Sequence, residues 1–342
     1  MAKRLIKKKK KRGGLFRAVY RLILACSILI VLGFCLAKTL LRPPVQAPPV
    51  SVQVPESTET VEEPVESAEP TPTPLVRKEG FYTFLLVATD VGGGNTDTLM
   101  VASYDTVGQK VGVVSIPRDT LVRNDFPKIN GIYAREGIEG LKEEVSQLTG
   151  VPIDYYVMVD IQGFIRLVDE VGGVDFYVPC DMDYDDTTPG QELRIHYTEG
   201  MHHLDGQGAM EVVRFRHNND GSGYTDVGRA ETQRSLLAAV GKKVLSFSNV
   251  PKFNTFVEIF QENVETDLSA EDIAWFISKA VGLDMDSGIQ GETLPGDGTV
   301  SYRGYDWCYE LEPEACLEIF NALLDPYTTP LTMDMVDIMQ AS

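Results

Sequence analysis

Short apolar runs rich in β-branched and aromatic residues recur from Phe81 onward, and turn residues bound each of them. Runs of this length and composition predict β-strands. Stretches with the apolar spacing of helices lie between them. This alternation predicts an α/β domain with a three-layer α-β-α architecture around a central mixed sheet. The predicted strands are FYTFLLVATD, TDTLMVASYD, KVGVVSIPRD, IDYYVMVDI and VDFYVP.

Several of the intervening stretches carry helix-end signals. GIEGLKEEVSQLTG predicts a helix that ends at Gly150, and QGFIRLVDEVGG predicts one that ends at a glycine pair. Residues 227–247 have the spacing of a long amphipathic helix. Ser269 and Asp272 match a capping arrangement ahead of IAWFISKAVG. We therefore expect helices on both faces of the sheet.

The charge of the chain is strongly acidic, with a formal net charge of −19. The first 21 residues hold ten basic residues and no acidic ones, so the remainder has 21 Lys and Arg against 50 Asp and Glu. Such a surface repels nucleic acid, whose binding depends on exposed basic residues. A cluster of arginines inside this acidic chain therefore indicates a specific anion pocket. The cluster is VVRFRHNNDGSGYTDVGRAETQR, residues 212–234.

The N-terminal region indicates a membrane anchor. Residues 1–21 predict a basic cytoplasmic tail, and residues 22–40 predict a single transmembrane helix with the rest of the chain extracellular. A cleaved signal peptide is the alternative, but no clear cleavage site directly follows the apolar run. Residues 41–78 are rich in Pro, Glu, Ser and Thr, and predict an extended acidic linker. Residues 79–330 then form the folded domain, and residues 331–342 a C-terminal tail.

Cysteine spacing leaves two readings open for the folded domain. Cys308 and Cys316 either pair across a loop, or Cys316 faces a core from the helix PEACLEIFNALL. Cys180 is a third cysteine outside the predicted anchor, so a full disulfide framework is excluded. The sequence has no Cys/His spacing typical of a zinc site.

Two carboxylates flank a short glycine-rich loop between the first two predicted strands. Asp90 ends one strand and Asp97 begins the next, across VGGGNTD. Ligands gather at strand ends in α/β sheets, and paired carboxylates suit Mg²⁺ or Mn²⁺ beside phosphate oxygens. An ordinary hairpin turn rich in Asp and Gly is the alternative. The loop lacks the lysine and the following helix of a P-loop.

Spacing within the arginine cluster predicts a convergent geometry. Arg214 and Arg216 are two residues apart, so they share a face if the backbone is extended there. Arg229 and Gln233 are four apart and share one side of a helix, whose start attracts anions. Arg234 lies about 100° around the helix from Gln233, and we expect it outside the site.

The sequence resembles the LytR-CpsA-Psr family over roughly residues 80–245. The resemblance rests on several motifs in the same order and at similar spacing. These are Asp90, TDT around Asp97, SIPRD, KIN followed by Tyr133, TEGMHHLDGQGAMEVVRFRH and DVGRAETQR. It implies a catalytic domain in residues 79–330 that transfers a glycopolymer from undecaprenyl pyrophosphate to peptidoglycan. Wall teichoic acid, capsule and secondary wall polysaccharides are the cargo that the resemblance implies.

The resemblance also implies roles for individual residues. Asp90 and Asp97 would hold the metal on the pyrophosphate, and Asp226 either orients Arg229 or helps to activate the acceptor. The residues implied to contact the pyrophosphate or to support those that do are Arg118, Lys128, Arg214, Arg216, Arg229 and Gln233. The apolar faces of FIRLVDEVGG and SLLAAVGKKVLSF either pack into the core or flank a channel for the carrier lipid.

One departure from the family pattern keeps other functions open. The family's first acidic loop reads Arg-x-Asp-Thr, whereas Asn95 precedes Thr96 and Asp97 here. One phosphate-binding arginine is therefore missing. A non-catalytic binder or regulator of lipid-linked wall precursors is the main alternative, and a surface interaction module is a third. The sequence shows no Ser or Cys nucleophile placed with a histidine.

Overall fold

The computed structural model describes residues 42–50, 75–89, 96–188, 192–223, 226–245, 260, 262, 264–280, 282–284 and 287–341. The predicted cytoplasmic tail and transmembrane helix, residues 1–21 and 22–40, lie outside these ranges. Among the described helices, none combines the length and the apolar composition needed to cross a bilayer. The chain divides into two compact units, residues 1–44 and 45–342, and the fold below is that of the second.

Twelve strands and six helices are assigned within the described ranges. The strands are β1 (Phe81–Thr89), β2 (Thr96–Asp105), β3 (Lys110–Ser115), β4 (Tyr155–Val159), β5 (Val174–Val178), β6 (Met182–Asp186), β7 (Leu193–Tyr197), β8 (Gly200–Leu204), β9 (Val264–Thr266), β10 (Ile289–Thr293), β11 (Gly296–Tyr302) and β12 (Tyr305–Leu311). The helices are α1 (Ile132–Thr149), α2 (Ile161–Glu170), α3 (Gly206–Arg214), α4 (Asp226–Leu245), α5 (Ala270–Ala280) and α6 (Pro313–Leu323).

The central sheet has six strands in the order β10-β3-β2-β1-β4-β9. β1 pairs antiparallel with β2 and parallel with β4, while β3 pairs antiparallel with β2 and parallel with β10. The predicted mixed sheet is confirmed. Because β1, β3, β4 and β10 run in the same direction, their carboxyl ends meet at one edge, where β2 also begins. We call this edge the C-terminal edge.

Helices cover both faces of the sheet, as the alternating sequence pattern predicts. Face 1 is the face whose buried side chains, Leu85 and Leu99 among them, pack with Leu141 of α1 and Phe320 of α6. Face 2 is the opposite face. There Phe84 of β1 packs edge-to-face with Phe276 of α5, at 5.1 Å between ring centroids. Successive strand residues point to opposite faces, so each strand supplies both layers.

A second apolar cluster lies apart from the central sheet. Two-stranded sheets, β5 with β8 and β6 with β7, pack against α2, α3 and α4. Val168 of α2 and Leu236 of α4 are 0% exposed, and Val240 of α4 is 2% exposed. The helix faces that were candidates for a lipid channel therefore contribute to an ordinary packed core.

The predicted C-terminal end of α1 and the predicted N-terminal cap of α5 are both confirmed. Gly150 ends α1 in the left-handed conformation with φ of 68°, and an added Cβ there would come within 2.7 Å of the Met335 carbonyl oxygen. Ser269 and Asp272 form the predicted capping box ahead of α5: the Asp272 N–H donates to Ser269 Oγ, and the Ser269 N–H donates back to Asp272 Oδ2.

The two cysteines for which a disulfide was one reading are not bonded to each other. Cys308 and Cys316 are both 0% exposed but belong to separate apolar clusters. Cys316 faces the core from α6, which was the other reading. Burial raises the pKa of the Cys316 thiol to about 12, so it behaves as an apolar core group.

Both described ends of the predicted linker contact the domain. Arg77 and Asp154 form a buried ion pair, with 2.6 Å between Arg77 Nη1 and Asp154 Oδ1 and side chains 7% and 0% exposed. The Ala47 N–H donates to the same carboxylate, and Arg77 donates to the Ala47 carbonyl. Gln46 donates to the carbonyl of Phe81, the first residue of β1. These contacts lie at the edge of the sheet opposite the C-terminal edge.

Glu144 on α1 generates a pH-dependent prediction. Burial, together with the nearby carboxylates of Asp337 and Glu136, raises the pKa of Glu144 to about 7. Its folded-state pKa thus lies above its unfolded value, so this group lowers stability as the pH rises from about 4.5 to 7. We expect Glu144→Gln to raise the free energy of unfolding by about 1–2 kcal/mol at pH 8, after allowance for partial exposure, and to leave it unchanged at pH 4.

Chemical denaturation at both pH values tests this expectation. Glu143→Gln is the matched control, because Glu143 is the exposed neighbour on the same helix. Equal effects of the two substitutions at pH 8 would contradict the assignment.

Candidate functional site at the C-terminal edge of the sheet

A small polar cavity lies at the C-terminal edge, between face 2 and the first half of α4. Its volume is about 50 Å³. Three of the residues predicted for the anion site line it: Arg118, which follows β3, and Arg229 and Gln233 on α4. Segments more than 100 residues apart in sequence therefore bring two guanidinium groups and an amide to one point. Such a donor set suits an anion with several oxygens.

Gln233 fixes α4 over this edge. Its Nε2 donates to the carbonyl of Val213 in α3 at 3.1 Å, and its Oε1 accepts from Thr98 Oγ1 in β2 at 3.3 Å. One side chain thus joins α4 to both neighbouring layers. Arg229, one helical turn earlier, is held at the cavity as a result.

Arg234 lies next to the site and does not line the cavity, as predicted. Its Nη1 donates to Thr293 Oγ1 of β10 at 2.9 Å. Burial lowers the pKa of the guanidinium. An added Cβ at Gly291 would approach Arg234 Cδ and Nε to 2.7 Å, so the glycine leaves the space in which this arginine lies. The contact binds α4 to the edge strand.

Hydroxyl groups complete the cavity wall. Ser115 pairs with Met100 and with Thr293 in the sheet register, so its side chain lies on face 2 with theirs. Ser115 is 3% exposed and lines the cavity, and its Oγ has no hydrogen-bond partner among the described residues. A buried hydroxyl without a partner is costly unless a ligand satisfies it. Thr98 lines the same wall.

Lys128, which was predicted to contact phosphate, contacts protein groups in this structure. Its Nζ lies 3.1 Å from Asp119 Oδ1 and donates to the carbonyls of Asp306 and Trp307, at 2.8 and 3.2 Å. Asp119 also lies 3.7 Å from Arg118 Nε. Lys128 therefore joins the loop that carries Arg118 to the β11–β12 hairpin, and two cations surround one carboxylate.

The extended geometry on which the prediction for Arg214 and Arg216 depended is present in part. α3 continues to Arg214, and its C-cap Phe215 is extended, with φ of −59° and ψ of 131°. Phe215 is 0% exposed and lies between half-buried Arg214 and exposed Arg216 in the sequence. Neither arginine is among the residues that line the cavity. Arg214 contributes to the lowered pKa of exposed Asp186, of which hydrogen bonds with Thr188 are the larger cause.

The predicted carboxylates lie only partly within the described residues. Asp90 is outside them, and the side chains of Asp97 and Asp226 are too. The backbone is informative: Thr89 and Thr96, which precede Asp90 and Asp97, are register partners at the ends of β1 and β2. A bulge follows, so that Asp97 stands between Thr96 and Thr98 without a partner in β1. The described backbone thus places Thr89 and Thr96, the residues before Asp90 and Asp97, on neighbouring strands at the C-terminal edge.

A cluster of possible metal ligands occurs elsewhere in the described part of the chain. Asp183, Asp185 and His196 lie within 4.8 Å of one another on the β6–β7 hairpin, and all three are exposed. His196 Nδ1 is 2.9 Å from an oxygen of Asp183. An exposed imidazole between carboxylates is ordinary surface chemistry, and we assign no metal to it.

Comparison with known proteins places the chain. A model of the LytR_cpsA_psr family matches residues 51–324. The chain belongs to this family. The teichoic acid transferase TagV of Bacillus subtilis is 33% identical over 232 residues, which cover 65% of this chain and 56% of TagV. The teichoic acid transferase TagU of Bacillus mycoides is 33% identical over 258 residues, covering 73% of this chain and 80% of TagU.

Solved structures agree with this LytR_cpsA_psr assignment. The crystal structure of Bacillus subtilis TagV superposes with a TM-score of 0.60 and 27% identity, and the match covers 72% of this chain and 96% of that one. The family-model match continues to residue 324, well beyond residue 245, where the resemblance found in the sequence ends.

Sequence reasoning missed three parts of this candidate site. Ser115 opens the SIPRD motif, but only its arginine was assigned a role. Thr293 and Tyr309 line the cavity from β10 and β12, in the region beyond residue 245 that the sequence resemblance did not cover. A strand pattern in GIQGET was the available signal, and it is weakened by two glycines.

The double hydrogen bond of Gln233 leads to a stability prediction. Gln233→Ala leaves the Val213 carbonyl without this donor and is expected to reduce the free energy of unfolding by about 1–2 kcal/mol. Gln207→Ala is the control, because Gln207 is exposed on α3 and its side chain donates to Glu211 on the same helix. We expect a change within about 0.5 kcal/mol for that control. Urea denaturation measures both, and equal values would show that Gln233 does not hold α4.

Proposed function

We propose that this protein is a phosphotransferase that moves a glycopolymer from a polyprenyl pyrophosphate carrier to peptidoglycan, forming a phosphodiester. The observation that carries the proposal is the cavity at the C-terminal edge, where Arg118 and Arg229 converge with Gln233 and the unpartnered Ser115 hydroxyl. The names of TagV and TagU as polyisoprenyl-teichoic acid–peptidoglycan transferases support the same chemistry.

Arginine side chains are better suited to binding a pyrophosphate than a cation that acts as a point charge. A guanidinium donates through a planar fork that matches two phosphate oxygens at once. Arg229 also lies in the first turn of α4, where the helix dipole favours an anion. Ser115 supplies one more donor to an oxygen within the cavity. Together these groups stabilise charge that develops on the bridging oxygen as it departs.

A divalent metal, Mg²⁺ or Mn²⁺, fits beside this cavity. Asp90 and Asp97 follow the paired residues Thr89 and Thr96, and carboxylates with phosphate oxygens are the ligand set that Mg²⁺ takes. When bound, the ion would supply positive charge to the pyrophosphate. Asp90 and Asp97 would hold it, and the arginines would orient the phosphates.

The reaction is a displacement at phosphorus. An acceptor hydroxyl oxygen of a peptidoglycan sugar forms a bond to the phosphorus that carries the polymer. The bond from that phosphorus to the bridging oxygen breaks, polyprenyl phosphate leaves with the electron pair, and the proton of the acceptor hydroxyl is released to water. Phosphoryl transfers of this kind depend on positioning and charge stabilisation. Arg118, Arg229 and Ser115 supply these two contributions here.

The polymer we propose is anionic, of the teichoic acid class named for TagV and TagU, with capsule and secondary wall polysaccharides as alternatives. We place the domain outside a bacterial cell, tethered by the predicted segment 22–40. Asn95, where the family has arginine, favours a second candidate function: a binder or regulator of the same lipid-linked precursor that does not turn it over.

Substitution of Arg229 tests the anion site. Arg229→Lys keeps the charge but loses the bidentate fork, and we expect the release of polyprenyl phosphate from a defined lipid-linked glycan to fall by about 100-fold. Arg214→Ala, a substitution at the end of α3, is measured in the same assay of polyprenyl phosphate release. Arg194→Lys is the control, since Arg194 is exposed on β7, away from the cavity. Mass spectrometry of the products measures the rates. Unchanged release in Arg229→Lys would rule out its proposed role, and binding without release in the parent protein would favour the binder.

Metal removal tests the carboxylate pair. We expect EDTA to abolish polyprenyl phosphate release, Mg²⁺ or Mn²⁺ to restore it, and Asp90→Asn with Asp97→Asn to prevent the restoration. Asp183→Asn with Asp185→Asn is the matched control at the exposed β6–β7 cluster. If metal dependence is lost in the control pair and kept in the first pair, the metal site lies on the hairpin.

A further inference from the structure

Trp307 is a large exposed aromatic residue close to the cavity. It is 71% exposed, whereas the chain's other tryptophan, Trp275, is 6% exposed. Tyr309, two residues further along β12, lines the cavity. The Trp307 carbonyl accepts a hydrogen bond from Lys128 Nζ, which lies 3.1 Å from Asp119, another residue of the cavity wall. The Trp307 backbone therefore lies close to the proposed reaction site.

The backbone at Trp307 is held in an unfavourable conformation. Its φ is 59°, in the left-handed region that favours glycine. The pairing of β11 with β12 is irregular between Val300 and Tyr302, so an extra residue of β12 is accommodated near this point. A bulky aromatic residue that is both exposed and conformationally strained contributes little to folding. Such residues cluster at functional sites.

Neighbouring contacts fix the position of this residue. The Lys128 ammonium binds the carbonyls of Asp306 and Trp307 and the carboxylate of Asp119, next to Arg118. Nearby, Tyr305 packs edge-to-face on Phe126, at 5.3 Å between ring centroids. The hairpin that carries Trp307 is thus joined to the loop that carries a proposed phosphate ligand.

The charge of the β11–β12 hairpin bears on which saccharide Trp307 contacts, an anionic polymer or an uncharged pyranose ring. Residues 296–311 carry Asp297, Asp306 and Glu310 against one basic residue, Arg303. A surface of this sign repels an anionic polymer. The apolar C–H face of a pyranose ring, by contrast, stacks on an indole without any charge requirement, because the indole offers a flat apolar surface and needs few rotamers to be fixed.

We propose that Trp307 is the platform on which a sugar ring of the acceptor peptidoglycan stacks, so that a nearby hydroxyl reaches the cavity. This inference rests on the proposed function, because the acceptor belongs to that reaction. Lys128 is then a positioning residue: it orients the Trp307 backbone relative to Arg118.

Binding in the absence of any donor tests the platform directly. The probe is a soluble peptidoglycan tetrasaccharide, and a lipid-free poly(glycerol phosphate) chain is the competing probe. Since Trp307 is the exposed one of two tryptophans, we expect the tetrasaccharide to shift its fluorescence emission to shorter wavelength and the polymer to leave it unchanged. A shift caused by the polymer alone would overturn the assignment to the acceptor.

Substitutions separate binding from folding. Trp307→Gly relieves the strained φ, so it is expected to fold at least as stably as the parent, yet to weaken tetrasaccharide binding by about tenfold in calorimetry. Trp307→Phe is expected to retain most of the affinity. Tyr177→Ala is the matched control, because Tyr177 is 51% exposed on β5 in the separate two-stranded sheet. Equal affinity of Trp307→Gly and the parent would overturn the proposal.

The transfer assay distinguishes this failure from a failure of the proposed function. We expect Trp307→Gly to raise the KM for the acceptor by about tenfold and to leave the affinity for the polyprenyl pyrophosphate donor unchanged. Transfer with a normal acceptor KM in Trp307→Gly would refute the platform and support the transferase. Tetrasaccharide binding that depends on Trp307, without any transfer by the parent protein, would support the platform and refute the transferase.

Discussion

The attachment of α4 across the C-terminal edge is the constraint on which the site depends. Two adjacent side chains make this attachment: Gln233 bonds to α3 and β2, and Arg234 bonds to β10. Together they fix the roll and the height of the helix over the sheet. Arg229 reaches the cavity only because its helix is held there. The pair that fixes the helix is therefore as important to the proposed chemistry as Arg229, the residue proposed to meet the anion.

The cavity also resolves the contrast between the acidic chain and its arginine cluster. A global negative charge repels phosphate-rich ligands at long range, but screening limits that effect to about 10 Å at moderate salt. In the proposed function, Arg118 and Arg229 would contact the anion directly inside a partly enclosed site, where charges interact more strongly. Lys128 compensates Asp119 beside them. Local geometry, and not net charge, would then decide which anion is held.

The sequence predicts the strands of the sheet and the helix caps well, since alternating apolar residues and capping residues are local signals. Arg118, Arg229 and Gln233 were predicted as one group by the family resemblance and not by a local signal. Arg214 and Arg216 are not among the residues that line the cavity, and the apolar pattern before them does not show that α3 ends between them. Thr293 could not be predicted, because its strand joins the sheet through a contact distant in sequence.

The absence of a side chain at Gly291 affects the attachment of α4 and, through it, the candidate site. The space beside Gly291 is filled by the stem of Arg234, and any larger residue there would displace that stem. The displacement would release α4 from β10 without altering a single group that meets a ligand. A series of side chains of increasing size at position 291 would thus vary how tightly α4 is held against β10.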